Sequence, residues 1–332
     1  MQSIEFIEQF KKKIFTIKSE KDFEEATLAA FRFQAVQNPI YAEYLKHLGI
    51  SINNIHKITE IPFMPIEFFK TQKVICENIT EEQIFRSSGT TGSVKSQHYV
   101  ADLNHYKKIT TTYFEKIYGP LDKIHILALL PSYLERNDAS LIRMVSDFME
   151  FSTSDSDFYL DNLETLAHKL QDLQNSGEKV ILFGVTFALL DFAEKHPADY
   201  SNVIIMETGG MKGRRKELTR SEVHDQLKKA FNSDKIHSEY GMTELLSQGY
   251  SLGDEQFITP PWMRIYFREI NDPFSLTTNK RGGINIVDLG NIESCCFIET
   301  KDIGAPGKDF NHFYVLGRFD NTDIRGCNLM VQ

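Results

Sequence analysis

Short, mostly apolar runs at residues 124–130, 180–183 and 203–206 alternate with stretches of helical periodicity, and that alternation limits what this chain can become. The helical stretches lie at residues 102–118, 138–149, 163–174, 186–195 and 219–232. The last opens on Thr219 and carries Glu222 three residues on, the pattern of a capping box. Buried strands alternating with helices require an α/β sheet with parallel pairs.

From residue 262 the helical pattern stops. Residues 262–268, 283–289, 296–299 and 313–316 read as strands separated by turns, so a β-rich subdomain is expected to close the chain. Residues 1–48 read as helical instead. Ile7, Phe10, Ile14 and Ile17 recur at spacings of three and four, and Tyr41, Tyr44, Leu45 and Leu48 do the same after Pro39. Pro62 and Pro65 then force an extended path through residues 61–66, which should lay its apolar side chains beneath the later segments. The expected organisation is a helical segment at 1–60, an α/β core at 61–261 and a β-rich subdomain at 262–332, packed as one unit of 332 residues.

Charge excludes one broad class. With 46 acidic against 37 basic residues and a net charge of −9, no nucleic-acid partner is expected, and a bound polyanion must be held by a local basic site. Cys76, Cys295, Cys296 and Cys327 form no C-x-x-C pair, so they read as neither a disulfide framework nor a zinc site. The opening MQSIEFIEQFKKK has charges within its apolar spacing and does not read as a signal peptide. No apolar run approaches the ~18 residues of a membrane span, and a cytoplasmic location is expected.

The stretch 86–95, Arg-Ser-Ser-Gly-Thr-Thr-Gly-Ser-Val-Lys, carries the most chemistry. Gly89 and Gly92 let consecutive backbone N–H groups turn inward on an anion. Ser87, Ser88, Thr90 and Thr91 add hydroxyl donors, and Lys95 adds a point charge. Val94 stands where a Walker A motif needs its second glycine, and the Rossmann spacing is absent too. Read alone, the stretch is either a polyphosphate cradle or a polar surface turn.

Three further clusters narrow the choice. Tyr240-Gly-Met-Thr-Glu244, Thr300-Lys-Asp-Ile-Gly304 and Gly317-Arg-Phe-Asp320 come after the loop in order. A planar Tyr240 can stack on a purine, and Glu244 is a hard oxygen ligand suited to Mg2+. Asp302 can accept from ribose hydroxyls, and Arg318 can donate to the sugar or a phosphate. Residues 207–216 come directly after a predicted strand, which places Gly209 and Gly210 where a nucleotide base could approach the backbone. Lys212, Arg214, Arg215 and Lys216 beyond them read first as a solvated face, second as an anion or carrier-protein contact.

Together these segments resemble the signatures of the adenylate-forming superfamily of acyl-CoA synthetases and luciferases. The nearest likeness, over residue 60 to the end, is to the LuxE-type acyl-protein synthetases; it rests on residues 61–70, 207–213 and 238–250. The resemblance implies the N-terminal domain of that superfamily, with a parallel-sheet α/β core that binds ATP. It implies ATP and Mg2+ as cofactors, a fatty-acid-like carboxylic acid as substrate and an acyl-AMP intermediate. An acyl-accepting reductase or carrier protein would be the partner. Its site residues would be Ser87, Ser88, Gly89, Thr90, Thr91, Gly92, Gly209, Gly210, Tyr240, Gly241, Asp302 and Arg318 for the nucleotide, with Lys95, Thr243 and Glu244 catalytic and Glu244 on the metal.

The sequence departs from the superfamily after Asp320, where only twelve residues remain and the usual large C-terminal domain with its catalytic lysine is expected to be absent. That favours transfer to a protein thiol over coenzyme A. On the residues alone, Cys327, between Gly326 and Asn328, is either a buried cysteine at a strand end or a nucleophile. The resemblance implies the nucleophile. Cys295 and Cys296, adjacent on a strand, read as structural. Two rival readings stand: a CoA ligase that borrows a partner's domain, and a non-catalytic acyl- or nucleotide-binding subunit. Tyr133, Leu134, Phe183 and Phe187 are read either as an acyl tunnel or as core.

Overall fold

The computed structural model describes residues 2–88, 94–131, 138–160, 162–209, 218–277 and 280–319. Helices α1 (Gln2–Lys13), α2 (Glu20–Gln37) and α3 (Pro39–His47) form the N-terminal segment. Ser19 caps α2 by accepting from the Asp22 backbone N–H at 3.2 Å, while Asp22 accepts from the Ser19 N–H at 3.0 Å. Asn38 ends α2 and caps α3 through Tyr41 N–H, with Pro39 at the first helical position. The proline-bounded stretch is extended as expected. Its strand β1 (Met64–Pro65) runs parallel to Ile298 and Glu299, and Ile61, Phe63, Met64 and Ile66 are buried. A short helix α4 (Phe68–Thr71) leads to a hairpin of β2 (Gln83–Arg86) and β3 (Gln97–Val100).

Next comes the α/β half, in the order α5 (Leu103–Tyr118), β4 (Ile124–Leu129), α6 (Ser140–Phe151), β5 (Asp157–Tyr159), α7 (Leu163–Leu173), β6 (Lys179–Val185), α8 (Thr186–Lys195), β7 (Val203–Thr208), α9 (Arg220–Phe231) and β8 (Ile236–Tyr240). Every helix expected here is present within two residues of its reading. The Thr219–Glu222 capping box also forms, with Glu222 accepting from Thr219 N–H at 2.8 Å. The strands pair in parallel in the order β5-β4-β6-β7-β8. All six residues of β4 and six of the seven of β6 are buried, as both faces of a parallel sheet must be when helices cover them.

The remaining strands are antiparallel: β9 (Gly249–Ser251), β10 (Gln256–Ile258), β11 (Met263–Glu269), β12 (Asp272–Thr277), β13 (Gly282–Asp288), β14 (Phe297–Pro306) and β15 (His312–Arg318). They continue the same sheet. Its order is β12-β11-β13-β14-β15-β10-β9-β8-β7-β6-β4-β5, with β1 added on β14, making thirteen strands. Hydrogen bonding thus runs unbroken past residue 262, through β9 and β10, which are too short to show a period in the sequence. Strand β14 also outruns its expected end at Glu299, because the Thr300-Lys-Asp segment, read as a motif, is itself sheet.

Candidate active site

The sheet changes direction between β8 and β9. The chain leaves the last parallel strand at Tyr240 and returns antiparallel at Gly249, with no helix or strand in residues 241–248. In open α/β sheets ligands sit beyond the carboxyl ends of strands, where connections diverge. Three of the motif residues meet there. Tyr240 donates its hydroxyl to Asp302 Oδ2 at 2.7 Å, and Asp302 on β14 stands opposite Arg318 on β15, whose Nε lies 3.7 Å from Oδ1. Burial pushes the Asp302 carboxyl up, against the pull of the Tyr240 hydroxyl and of Arg318, Arg268 and Arg220.

The Tyr240 ring is packed as well as its hydroxyl. Its ring packs against Phe257 and Phe313, with centroids 5.8 and 5.3 Å away, and the residue is 7% exposed. Its polar end therefore does the visible work, orienting Asp302. Gly241 comes next in a tight place: a Cβ there would stand 2.3 Å from Glu239 Oε1, so a larger residue would have to displace the Glu239 carboxyl that Thr208 holds. Gly209 follows β7 with φ +75°, a left-handed conformation suited to glycine, and its carbonyl accepts from Thr186 Oγ1 at 3.2 Å.

Glu244 joins the same place from the turn. It is 5% exposed, and burial raises its pKa against a hydrogen bond from Ser96. Ser96 belongs to the stem of the glycine-rich loop, so the hairpin and the turn are tied together. That stem is closed by Ser87, whose N–H donates to the Ser96 carbonyl at 3.1 Å and whose Oγ accepts from Ser96 N–H at 3.0 Å. Ser88 and Lys95 are exposed at the loop's base. Thr243 enters through its carbonyl, which accepts from His98 Nδ1 at 2.8 Å. His98 is buried, and burial brings its pKa down to about 4, so it stays neutral.

Several sequence-read residues lie outside the described residues: Gly89, Thr90, Thr91, Gly92, Tyr133, Leu134, Gly210, the basic run Lys212–Lys216 and Cys327. Phe183 and Phe187 are buried in the hydrophobic core. Cys76, Cys295 and Cys296 are free and buried. Burial pushes all three thiols up, Cys295 to about 12, which makes them poor nucleophiles and fits the structural reading of Cys295 and Cys296.

Two polar groups escape the sequence reading. The first is a pair of acids at the ends of β7 and β8. Thr208 Oγ1 donates to Glu239 Oε2, while Glu207 accepts from Thr186 Oγ1 at 2.6 Å and faces His224 Nε2 at 4.0 Å. Burial and the neighbouring Glu207 push Glu239 up to about 7, against the hydrogen bond from Thr208. The second is Asp288 at the end of β13, which accepts from the Leu246 and Ser247 backbone N–H groups in the turn.

Among the described residues no group of three or more His, Cys, Asp or Glu side chains could hold a metal ion, and no helix is long and apolar enough to cross a membrane. A single carboxylate still suits Mg2+, which takes one or two carboxylates and completes its shell with phosphate oxygens and water. A cation beside Glu244 would also offset the burial that disfavours its charge.

This fold is that of the adenylate-forming ligases. Of its solved neighbours, 2-hydroxyisobutyryl-CoA ligase in complex with 2-HIB-AMP and CoA superposes with a TM-score of 0.68 at 11% identity, over 92% of this chain and 70% of that one. ATP-bound MatB from Rhodopseudomonas palustris gives 0.52 at 14% identity, over 71% and 47%. Within that class, the chain belongs to the acyl-protein synthetase, LuxE, family, whose model matches residues 13–332. A relative in that setting is the long-chain-fatty-acid–luciferin-component ligase of Aliivibrio fischeri, 27% identical over 306 residues, 83% of this chain and 76% of the relative.

Proposed function

We propose that the chain uses ATP and Mg2+ to convert a fatty acid to its acyl-AMP, and then carries the acyl group as a thioester on Cys327. The observation that supports this most is the meeting of Tyr240, Asp302, Arg318, Glu244 and the glycine-loop stem where the sheet reverses. In this reading Lys95 with the hydroxyls of Ser87, Ser88, Thr90 and Thr91 holds the phosphates. Asp302 has one oxygen engaged by Tyr240 and offers the other to the ribose beside Arg318. Glu244 would hold Mg2+, which neutralises charge that the phosphates bring together.

A carboxylate oxygen of the acid attacks the α-phosphorus in line, the bond from that phosphorus to the bridging oxygen breaks, and pyrophosphate leaves. The Cys327 thiol loses its proton, its sulfur attacks the acyl carbonyl, and AMP departs with the C–O bond electrons. A free thiol with pKa of about 8.5 is only slightly ionised at pH 7, so the adjacent Arg325-Gly326 is a useful neighbour for the thiolate. An acyl-accepting reductase or carrier protein is the natural next partner, and likeness to the Aliivibrio ligase supports a long-chain acid.

Positioning and electrostatics carry adenylation, so removing one group should cost roughly two to three orders of magnitude in rate. Glu244→Ala and Lys95→Ala are expected to lower acid-dependent ATP–pyrophosphate exchange by that amount in the folded protein, and the exposed Lys95→Ala to do so with unchanged melting temperature. A folded variant of either that exchanges at the wild-type rate would overturn the assignment.

A further inference from the structure

We propose that Asp288 is the positioning residue for the turn that carries Glu244, and that the chain's single tryptophan, Trp262, reports on the state of that turn. The inference rests on the reading of Glu244 as the metal carboxylate and adds what holds it in place. The turn lacks regular structure, so its backbone groups need partners from elsewhere. Asp288, at the end of β13, supplies the partners of two consecutive backbone N–H groups and of one side chain there. Its Oδ2 accepts from the Leu246 and Ser247 backbone N–H groups, both at 2.9 Å; its Oδ1 accepts from Ser247 Oγ at 2.6 Å and Gly290 N–H at 3.1 Å.

Asp288 is fully buried, and no Lys, Arg or His forms an ion pair with it among the described residues. Four donors on one carboxylate replace the water it has lost, and they lock the two residues after Leu245 to the sheet. A second hold comes from the same connection: Asn291 Nδ2 donates to the Glu244 carbonyl at 2.9 Å. The connection is itself anchored, since Gln34 on α2 donates to the Asn291 and Ile292 carbonyls at 2.8 and 2.9 Å. Gly290 packs closely; a Cβ there would lie 2.6 Å from Ile109 Cδ1 and 3.1 Å from Asp288 Oδ1. Trp262 completes the array by donating its indole N–H to Ser247 Oγ at 3.0 Å.

The test uses the full chain and separates positioning from mere stability. Trp262 emission is titrated with ATP alone in EDTA, and with ATP plus Mg2+. In the wild type the emission should change on binding, and Mg2+ should tighten it. Asp288→Asn puts an amide N–H where a carboxylate oxygen accepts, and should remove roughly tenfold of the Mg2+-dependent tightening while leaving metal-free ATP binding unchanged. Asn291→Ala, which cuts the other hold, should act the same way and serves if Asp288→Asn does not fold. Equal loss with and without Mg2+, or full retention of the tightening, in the folded variants overturns the positioning role. Glu244→Ala distinguishes the underlying reading: if it keeps the tightening, the metal assignment itself falls, and the role of Asp288 with it.

Discussion

The two halves of the one sheet bury their strands differently. In the parallel half, β4, β6 and β7 are buried almost throughout, flanked by α5 to α9. In the antiparallel half, β12 is exposed or half-exposed along its whole length and β15 is half-exposed, while β13 is buried completely. The site takes residues from both sides of the seam: Tyr240 and Glu239 from the last parallel strand, Asp302 and Arg318 from the antiparallel pair. The comparison teaches a division of labour. The parallel half supplies a buried floor, and the antiparallel half supplies the mostly buried Asp302 with the exposed Arg318 beside it.

The largest effect that would sharpen this contrast is in the floor. Leu182, fully buried at the centre of β6, should cost about 2–5 kcal/mol when changed to alanine, measured by urea unfolding. Phe274 on the edge strand β12, 58% exposed, should change stability by no more than about 0.5 kcal/mol in the same substitution. Similar losses at the two positions would erase the distinction between the halves.

Between these limits lies Glu239. Its folded carboxyl keeps its proton up to about pH 7, while the unfolded one releases it near the ordinary carboxylate value of 4.5. The folded state therefore binds more protons across that window, and its stability should fall as pH rises through it. Glu239→Gln cannot ionise and keeps an oxygen for Thr208 Oγ1. It should gain on the order of 2–3 kcal/mol relative to wild type between pH 5 and pH 8, read from unfolding curves at both. An identical difference at the two pH values would show that Glu239 does not carry the burden.

Much of this architecture is legible in the sequence. The runs at 180–183 and 203–206 announce β6 and β7 because full burial on both faces leaves a local, continuous apolar mark. Tyr240, Asp302 and Arg318 stand out as motif residues, and the structure brings them into contact. The support of the Glu244 turn is not legible. Asp288 lies 42 residues from Leu246, and no pattern in either segment indicates that they meet. The continuity of the sheet is hidden for a related reason: β9 and β10 have three residues each, too few for any periodicity, yet they join its two halves. The use of Tyr240 as a hydrogen-bond donor also depends on Phe257 and Phe313 covering its ring, which only tertiary packing decides.

The central claim, adenylation followed by capture on a thiol, is tested most directly by covalent labelling. The chain is incubated with ATP, Mg2+ and a labelled long-chain fatty acid, denatured, and treated with hydroxylamine. Wild type should keep the label through denaturation and lose it to hydroxylamine, as a thioester does, whereas Cys327→Ser should still support pyrophosphate exchange but stay unlabelled. Label retained in Cys327→Ser, or none on the wild type while acyl-CoA forms when coenzyme A is supplied, would contradict the account.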